Sequence, residues 1–281
     1  MLELIRITLL LAFAFLYAYF DVFNKRNIPD KIVYLSLAVG IISTILYPLK
    51  VAEISFLLAL FVGSLGYILY KAGMLGLGDG LELTFISLVL PVQPTPLFNM
   101  GLSQLNMPFV LSVFISSGIV TIIAVPIYYI IRGDKINLKP SSILKASIVF
   151  TSYMVLLLFV YLLFGLRIDA TIFIMLMAIF STIIFLFENS INESMVEWIY
   201  PKYLEEDDII ATNLMSKKEI DFFKSKFNEF GRLATKKQIN ALKNVKKKLP
   251  VYRKAIPFAV FILAGVIVSL LFGDLLFLLF T

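Results

Sequence analysis

Apolar segments long enough to cross a lipid bilayer recur along the whole of this 281-residue sequence. The hydrocarbon core of a membrane requires about 20 apolar residues per helical span. About eight segments approach that length, at 4–20, 32–48, 53–70, 81–101, 107–131, 146–166, 170–187 and 256–280. Only 16% of the residues are charged, against about 25% in ordinary soluble domains. The sequence therefore predicts an all-α polytopic membrane protein with about eight transmembrane helices.

Two of these segments have a second interpretation. Pro91, Pro94 and Pro96 interrupt the fourth segment, which predicts a short helix followed by a re-entrant or extended turn. The first segment could be a signal peptide, but it lacks a strongly basic start and a small-residue cleavage site before the polar loop at Asp21. We expect it to be a helix of the mature protein.

The positive charges predict the orientation of the chain in the membrane. The loops expected on one side are 21–31, 71–80, 132–145 and 188–255. They hold all of the 25 Lys and Arg residues except Arg6, Lys50 and Arg167. Because Lys and Arg are enriched in cytoplasmic loops, this side is expected to face the cytoplasm. We predict a multi-pass protein of the plasma membrane, with Asp21 and Asp79 on the cytoplasmic side and both termini outside.

The polar stretch 188–255 separates a predicted membrane catalytic domain, residues 1–187, from a last transmembrane helix at 256–281. This stretch is expected to form a small cytoplasmic helix-hairpin module, with an α+β arrangement as the alternative. Ser216 and Thr235 each begin a capping-box pattern typical of helix starts. The two helices are predicted to end at Gly231 and Pro250.

A basic run directly precedes the last predicted span and comprises Lys246, Lys247, Lys248, Arg253 and Lys254. Such a run favours contact with anionic lipid at the inner face of the bilayer. Nucleic-acid binding is the alternative, but aromatic residues for base stacking are not interleaved with these charges. We expect the bilayer, and no nucleic acid, as the partner of this run.

The chain contains neither cysteine nor histidine. Disulfides, thiolate metal sites and every catalytic arrangement that needs histidine are therefore excluded. Enzymatic proton transfer would have to use Asp, Glu, Lys or Tyr. We expect neither a metal nor a cofactor.

Two aspartates at the ends of predicted spans, Asp21 and Asp79, are the leading candidates for chemistry, because ionisable residues at such positions are costly and often functional. Glycines surround Asp79 at positions 73, 76, 78 and 80. They would allow an extended peptide to lie beside the carboxylate. Two close carboxylates share one proton, so the pair can act as general acid and general base without histidine.

The motif Gly76-Leu77-Gly78-Asp79 matches the G-x-G-D motif of membrane aspartic proteases. Asp21, followed by Arg26, Ile28 and Pro29, resembles the first-aspartate region of type IV prepilin peptidases. The likeness is greatest to the archaeal branch, which processes prepilins and pre-archaellins. The stretches 203–210 and 256–258 also resemble the C-terminal region of longer archaeal members.

This resemblance implies roles for particular residues. Asp21 and Asp79 would be catalytic, and Gly76, Gly78 and Gly80 would support the motif. Arg26 is a candidate for substrate contact, and Glu82, three residues after Asp79, either tunes the aspartate pair or faces the cytosol.

The resemblance also implies a reaction. A membrane aspartic endopeptidase would remove the short basic leader of prepilin-type or pre-archaellin-type signal peptides. Bacterial relatives often carry a cysteine-bearing metal domain and methylate the new N-terminus. This chain has no cysteine, so we expect no methyltransferase activity.

Three other interpretations compete with this one. A presenilin-type protease shares G-x-G-D, but Phe20 stands where a tyrosine usually precedes the first aspartate, and no Pro-Ala-Leu motif occurs. An ion-coupled transporter or channel would also use intramembrane carboxylates, placed apart and near the midplane. A purely structural anchor would need neither aspartate.

Overall fold

The computed structural model describes residues 2–24, 28–98, 107–132, 138–165, 168–227, 230–253 and 256–275. This part of the chain is mostly helical, with a small sheet. The elements are α1 (Leu2–Phe23), α2 (Asp30–Ile45), α3 (Leu49–Lys71), α4 (Leu77–Val89), α5 (Phe109–Arg132), α6 (Pro140–Phe164), α7 (Ile168–Leu186), α8 (Glu188–Ser194), β1 (Glu197–Ile199), α9 (Lys217–Lys226), α10 (Lys236–Leu242), β2 (Leu249–Val251) and α11 (Phe258–Phe272).

Fewer of these helices than predicted meet the length and hydropathy expected of a membrane span. Among the described residues, α1, α3, α5 and α6 are long and apolar enough to cross a bilayer. The pair α7–α8 adds a fifth span if its 62° bend lies within one crossing. Every predicted segment contains a helix, but α2, α4 and α11 have only 16, 13 and 15 residues. The structure supports the prediction of a membrane protein with several apolar helices, and the count of eight spans is not confirmed.

The short helix α4 lies at the centre of the bundle and packs against α1, α2, α3, α5 and α11. Its residues Leu83, Phe85, Ile86 and Val89 join a hydrophobic core to which α1, α5 and α11 also contribute. Helix α11 packs between α1 and α5. The first turn of α4 carries Asp79, so the candidate aspartate lies on the most enclosed helix of the fold.

Helix α4 ends where the prolines predicted a break. Leu90 leaves the helical conformation, with φ −134° and ψ 82°, because the residue before a proline such as Pro91 avoids the α region. The carbonyl groups at this end would be costly to leave unpaired inside a bilayer. Hydroxyl groups of neighbouring helices satisfy them.

Three side chains supply these hydroxyls. Thr44 donates to the carbonyl oxygen of Leu88 at 2.8 Å, and Tyr47 donates to that of Val89 at 2.9 Å. Ser55 lies within hydrogen-bond distance of the Leu88 oxygen at 3.1 Å. A helix of 13 residues can therefore stop inside the bundle without water at its end.

The polar part of the chain forms a small module, residues 195–253, with its own hydrophobic core around Phe223, Leu242 and Leu249. Strands β1 and β2 pair antiparallel, with Trp198 opposite Pro250. The α+β alternative thus describes the module better than a helix hairpin.

The predicted starts of the two module helices agree with the structure, whereas the predicted ends do not. Ser216 and Glu219 form the reciprocal capping box, whereas Thr235 caps the amide of Gln238. The ends at Gly231 and Pro250 are wrong. Helix α9 stops at Lys226 because the next residue is extended, and Pro250 lies in β2 because Leu249 and Val251 are both buried in the module core.

Candidate active site

Asp21 lies in the last turns of α1 and is 7% exposed. Its carboxylate oxygen Oδ2 accepts a hydrogen bond from the backbone amide of Ala259, at 3.0 Å. Ala259 is in the first turn of α11, where the amide groups of a helix have no partner within the helix. The N-terminus of a helix favours a negative charge, so α11 stabilises the ionised carboxylate of Asp21.

Asp79 lies in the first turn of α4, and its side chain folds back onto the residue that precedes the helix. Its Oδ2 accepts a hydrogen bond from the backbone amide of Gly76 at 3.2 Å. A Cβ atom at Gly76 would lie only 2.7 Å from that oxygen. Glycine at position 76 therefore leaves space for the aspartate side chain to cap its own helix.

The other two glycines of the motif make close contacts with neighbouring elements. An added Cβ at Gly78 would lie 2.7 Å from Cδ1 of Ile28, in the segment that follows Asp21. An added Cβ at Gly80 would lie 3.1 Å from the Cα of Gly66 on α3. These contacts bring α4 close to the chain around Asp21 and to α3.

The structure brings Asp21 and Asp79 close enough for their carboxylates to interact electrostatically. One comes from the end of α1 and the other from the start of α4, so the juxtaposition depends on the packing of the bundle. The site is partly enclosed, since Asp21 is buried and Asp79 is half-buried. Two acids in such a place can hold one proton between them and transfer another.

Glu82 is a third carboxyl group at this site. It is fully buried, and neither of its oxygens has a hydrogen-bond partner among the described residues. It interacts electrostatically with both Asp79 and Asp21. The interpretation that Glu82 faces the cytosol is therefore wrong. A buried carboxyl group without hydrogen bonds costs stability, so its place beside the aspartates indicates a functional purpose.

The remaining predicted residue, Arg26, lies outside the described residues. Asp274 lies beyond the opposite end of α11 from Ala259, where it accepts a hydrogen bond from Ser112. Within the described ranges, no three acidic side chains are grouped as a bound metal ion would require.

Sequence reasoning missed the contact of Ala259 with Asp21. The two residues are far apart in the chain, and a backbone donor has no side-chain signature. Pro257 as the N-cap of α11 is the only local signal, because proline often occurs at helix starts. Tyr17 was also missed; it is fully buried one turn before Asp21, and its hydroxyl lies 2.8 Å from that of Ser36.

These features define a class: a helical membrane protein with two interacting aspartates at helix ends. Residues 8–125 match the family model described as the type IV leader peptidase family. That segment contains both aspartates and the glycines of the motif. This match indicates a protease. Searches of curated proteins and of solved structures found no match.

Proposed function

We propose that the protein is a membrane aspartic endopeptidase in which Asp21 and Asp79 form the catalytic pair. The substrates are prepilin-type or pre-archaellin-type precursors, and the reaction removes their short basic leader. The enzyme acts at the cytoplasmic face of the membrane and has no methyltransferase activity. The family match supplies the reaction class, and the two carboxylates supply the chemistry.

The observation that carries this proposal is the interaction of the two carboxylates. Each aspartate also accepts one backbone hydrogen bond through Oδ2, from Ala259 in one case and from Gly76 in the other. Holding one oxygen fixes the orientation of a catalytic group without using up its proton-transfer capacity.

The pair performs hydrolysis with a water molecule. The ionised aspartate takes a proton from the water, and the oxygen of that water bonds to the scissile carbonyl carbon. The protonated aspartate gives its proton to the carbonyl oxygen. In the tetrahedral intermediate, the aspartate that took the proton from water gives it to the amide nitrogen, and the C–N bond breaks. The other aspartate takes a proton back from a hydroxyl of the intermediate as the new carboxyl group forms. The leader and the mature precursor leave, and the pair again holds one proton.

The position of the carboxylates at helix ends supports a peptidase over an ion-coupled carrier. Carriers bind their coupling ions near the bilayer midplane, at breaks within their helices. The position of both aspartates at helix ends also suits a substrate whose cleavage point lies between a basic leader and an apolar helix. Arg26 stays a candidate for contact with that leader, and the basic run at 246–254 for contact with anionic lipid.

The test is cleavage of a prepilin-like precursor by membranes that contain the wild type, Asp21→Asn or Asp79→Asn. Each substitution preserves size and removes the acid, so each is expected to reduce cleavage by at least about 1,000-fold if the two residues act as a unit. Asp30→Asn, at the exposed start of α2, is the matched control and should cleave normally. Undiminished cleavage by either catalytic-pair variant contradicts the proposal.

A further inference from the structure

Asp207 and Asp208 are adjacent residues of the module. Each contacts a chain segment that continues to one side of the candidate site: the segment before Asp79 for Asp207, and the segment before Ala259, the partner of Asp21, for Asp208. Asp207 has a φ of 70°, and it is the only non-glycine residue with positive φ in the described part of the chain. Its backbone amide donates to the carbonyl oxygen of Ala234 at 2.9 Å, which fixes it against the module core. This backbone conformation separates the directions of the two neighbouring side chains.

Asp207 contacts the segment that leads to Asp79. The Tyr70 hydroxyl, in the last turn of α3, donates to Oδ1 of Asp207 at 2.5 Å. Gly73 follows with φ 65°, and an added Cβ there would lie 3.2 Å from Cβ of Arg232 in the module. The loop from Tyr70 to Gly76, whose end binds Asp79, therefore rests against the module.

Asp208 contacts the segment that leads to Asp21. Nη2 of Arg253 donates to Oδ2 of Asp208 at 2.7 Å, and Nε approaches Oδ1 at 3.4 Å. Two-point contacts between a guanidinium and a carboxylate fix direction as well as distance. Arg253 lies two residues after β2 and five residues before α11, whose Ala259 amide holds Asp21.

We propose that Asp207 and Asp208 are positioning residues for the catalytic pair. They hold the loop before Asp79 and the segment before Ala259 in a fixed position relative to each other. The spacing of the two carboxylates therefore depends on the module. This inference rests on the proposed function for its consequence in catalysis. The spacing itself can be measured without activity.

The first measurement separates turnover from substrate binding. Tyr70→Phe removes only the hydroxyl that reaches Asp207, and Asp208→Asn removes the charge that holds Arg253. Each is expected to lower kcat by about 10- to 100-fold with KM nearly unchanged, since small displacements of reacting groups are costly. Tyr67→Phe, one turn earlier on α3, is the control and should keep the wild-type kcat. Asp207→Asn tolerates positive φ and retains an acceptor oxygen, so it should be much closer to wild type than Asp207→Ala.

The second measurement follows the distance directly. The chain has no cysteine, so cysteines at Phe23 and Met74, both exposed, can be spin-labelled without other changes. The distance distribution between the labels should broaden or shift in Tyr70→Phe and Asp208→Asn, and not in Tyr67→Phe. Wild-type kcat together with unchanged distances in both variants overturns the proposal. If the catalytic-pair variants stay active while the distances do shift, the proposed function fails and the positioning role remains.

Discussion

The backbone amide of Ala259 donates a hydrogen bond to the carboxylate of Asp21 across a distance of 3.0 Å. This bond joins the last described helix of the chain to the first. Ala259 is fully buried, so its amide has no access to bulk water as a substitute partner. Asp21 therefore has a structural task beside its proposed chemical one.

Two substitutions separate these tasks. Asp21→Ala leaves the Ala259 amide unpaired and is expected to lower the free energy of unfolding by about 1–3 kcal/mol. Asp21→Asn keeps an acceptor oxygen and should retain most of that stability, while both variants lose cleavage. Unfolding in detergent micelles, followed beside precursor cleavage, checks both expectations. Equal destabilisation by the two variants would show that the hydrogen bond does not hold α11.

The buried carboxyl group of Glu82 is expected to lower the stability of the fold and to contribute to the candidate site. Glu82→Met keeps an unbranched side chain of similar length and removes a buried carboxyl group that lacks hydrogen bonds. We expect the free energy of unfolding to rise by about 1–2 kcal/mol and cleavage to fall. Leu83→Met, the buried neighbour, is the control and should cleave normally. A Glu82→Met protein that is less stable and fully active would contradict this assignment.

The contact of Gly80 with Gly66 should tolerate no added methyl group. Gly80→Ala places a Cβ 3.1 Å from the Cα of Gly66 on α3, and α4 packs against four further helices. A loss of about 1–3 kcal/mol in stability and a loss of cleavage are expected.

Gly118 in α5 is the matched control for that substitution. An added Cβ there meets no atom within 4 Å, so Gly118→Ala should raise stability by about 0.5–1 kcal/mol through helix propensity alone. Thermal unfolding of the two variants in one detergent provides the comparison. Similar effects of both substitutions would mean that the α3–α4 contact is not tight.

The two helix caps of the module should respond differently to pH. Hydrogen bonds from the backbone and hydroxyl of Ser216 lower the pKa of Glu219 below its ordinary value of 4.5. A carboxyl group with a lowered pKa stabilises the fold above its ordinary pKa, and that contribution disappears as the pH falls through the lowered value. The cap of Thr235 uses Gln238, which does not titrate.

We therefore expect Ser216→Ala to weaken α9 at pH 7 and to differ less from wild type near pH 3. Thr235→Ala should weaken α10 by a similar amount, about 1 kcal/mol, at both pH values. Hydrogen exchange of the full-length protein, corrected for intrinsic rates, reports the two helices separately. A pH-independent effect of Ser216→Ala would mean that the hydroxyl of Ser216 does not contribute to the lowered pKa of Glu219.

The sequence located the helices, but the structure confirms only some of them as long enough to span a membrane. Apolar length predicts the long helices because the bilayer imposes a thickness, and Pro91 predicts the end of α4 because proline constrains its predecessor. A buried helix such as α4 needs no full span, since its polar end groups are satisfied by Thr44 and Ser55. That satisfaction comes from other helices, so local sequence does not reveal it.

The candidate site was also predictable only in part. The glycines around Asp79 indicated close backbone contacts, and the structure shows what each glycine contacts. The partner of Asp21 was not predictable, because a backbone amide carries no residue-specific signal. Pro250 was predicted to end a helix, yet it lies in a strand, because Leu249 and Val251 are buried in the core and the segment pairs with β1.

The hydroxyl groups at the far end of α4 have a consequence for substrate selection. A helix held there by Thr44, Tyr47 and Ser55 resists sliding along its own axis, so the height of Asp79 in the membrane is fixed from the end opposite the chemistry. On the proposed function, a precursor has to bring its scissile bond to that height, so cleavage is expected to depend on how far its leader protrudes from the bilayer.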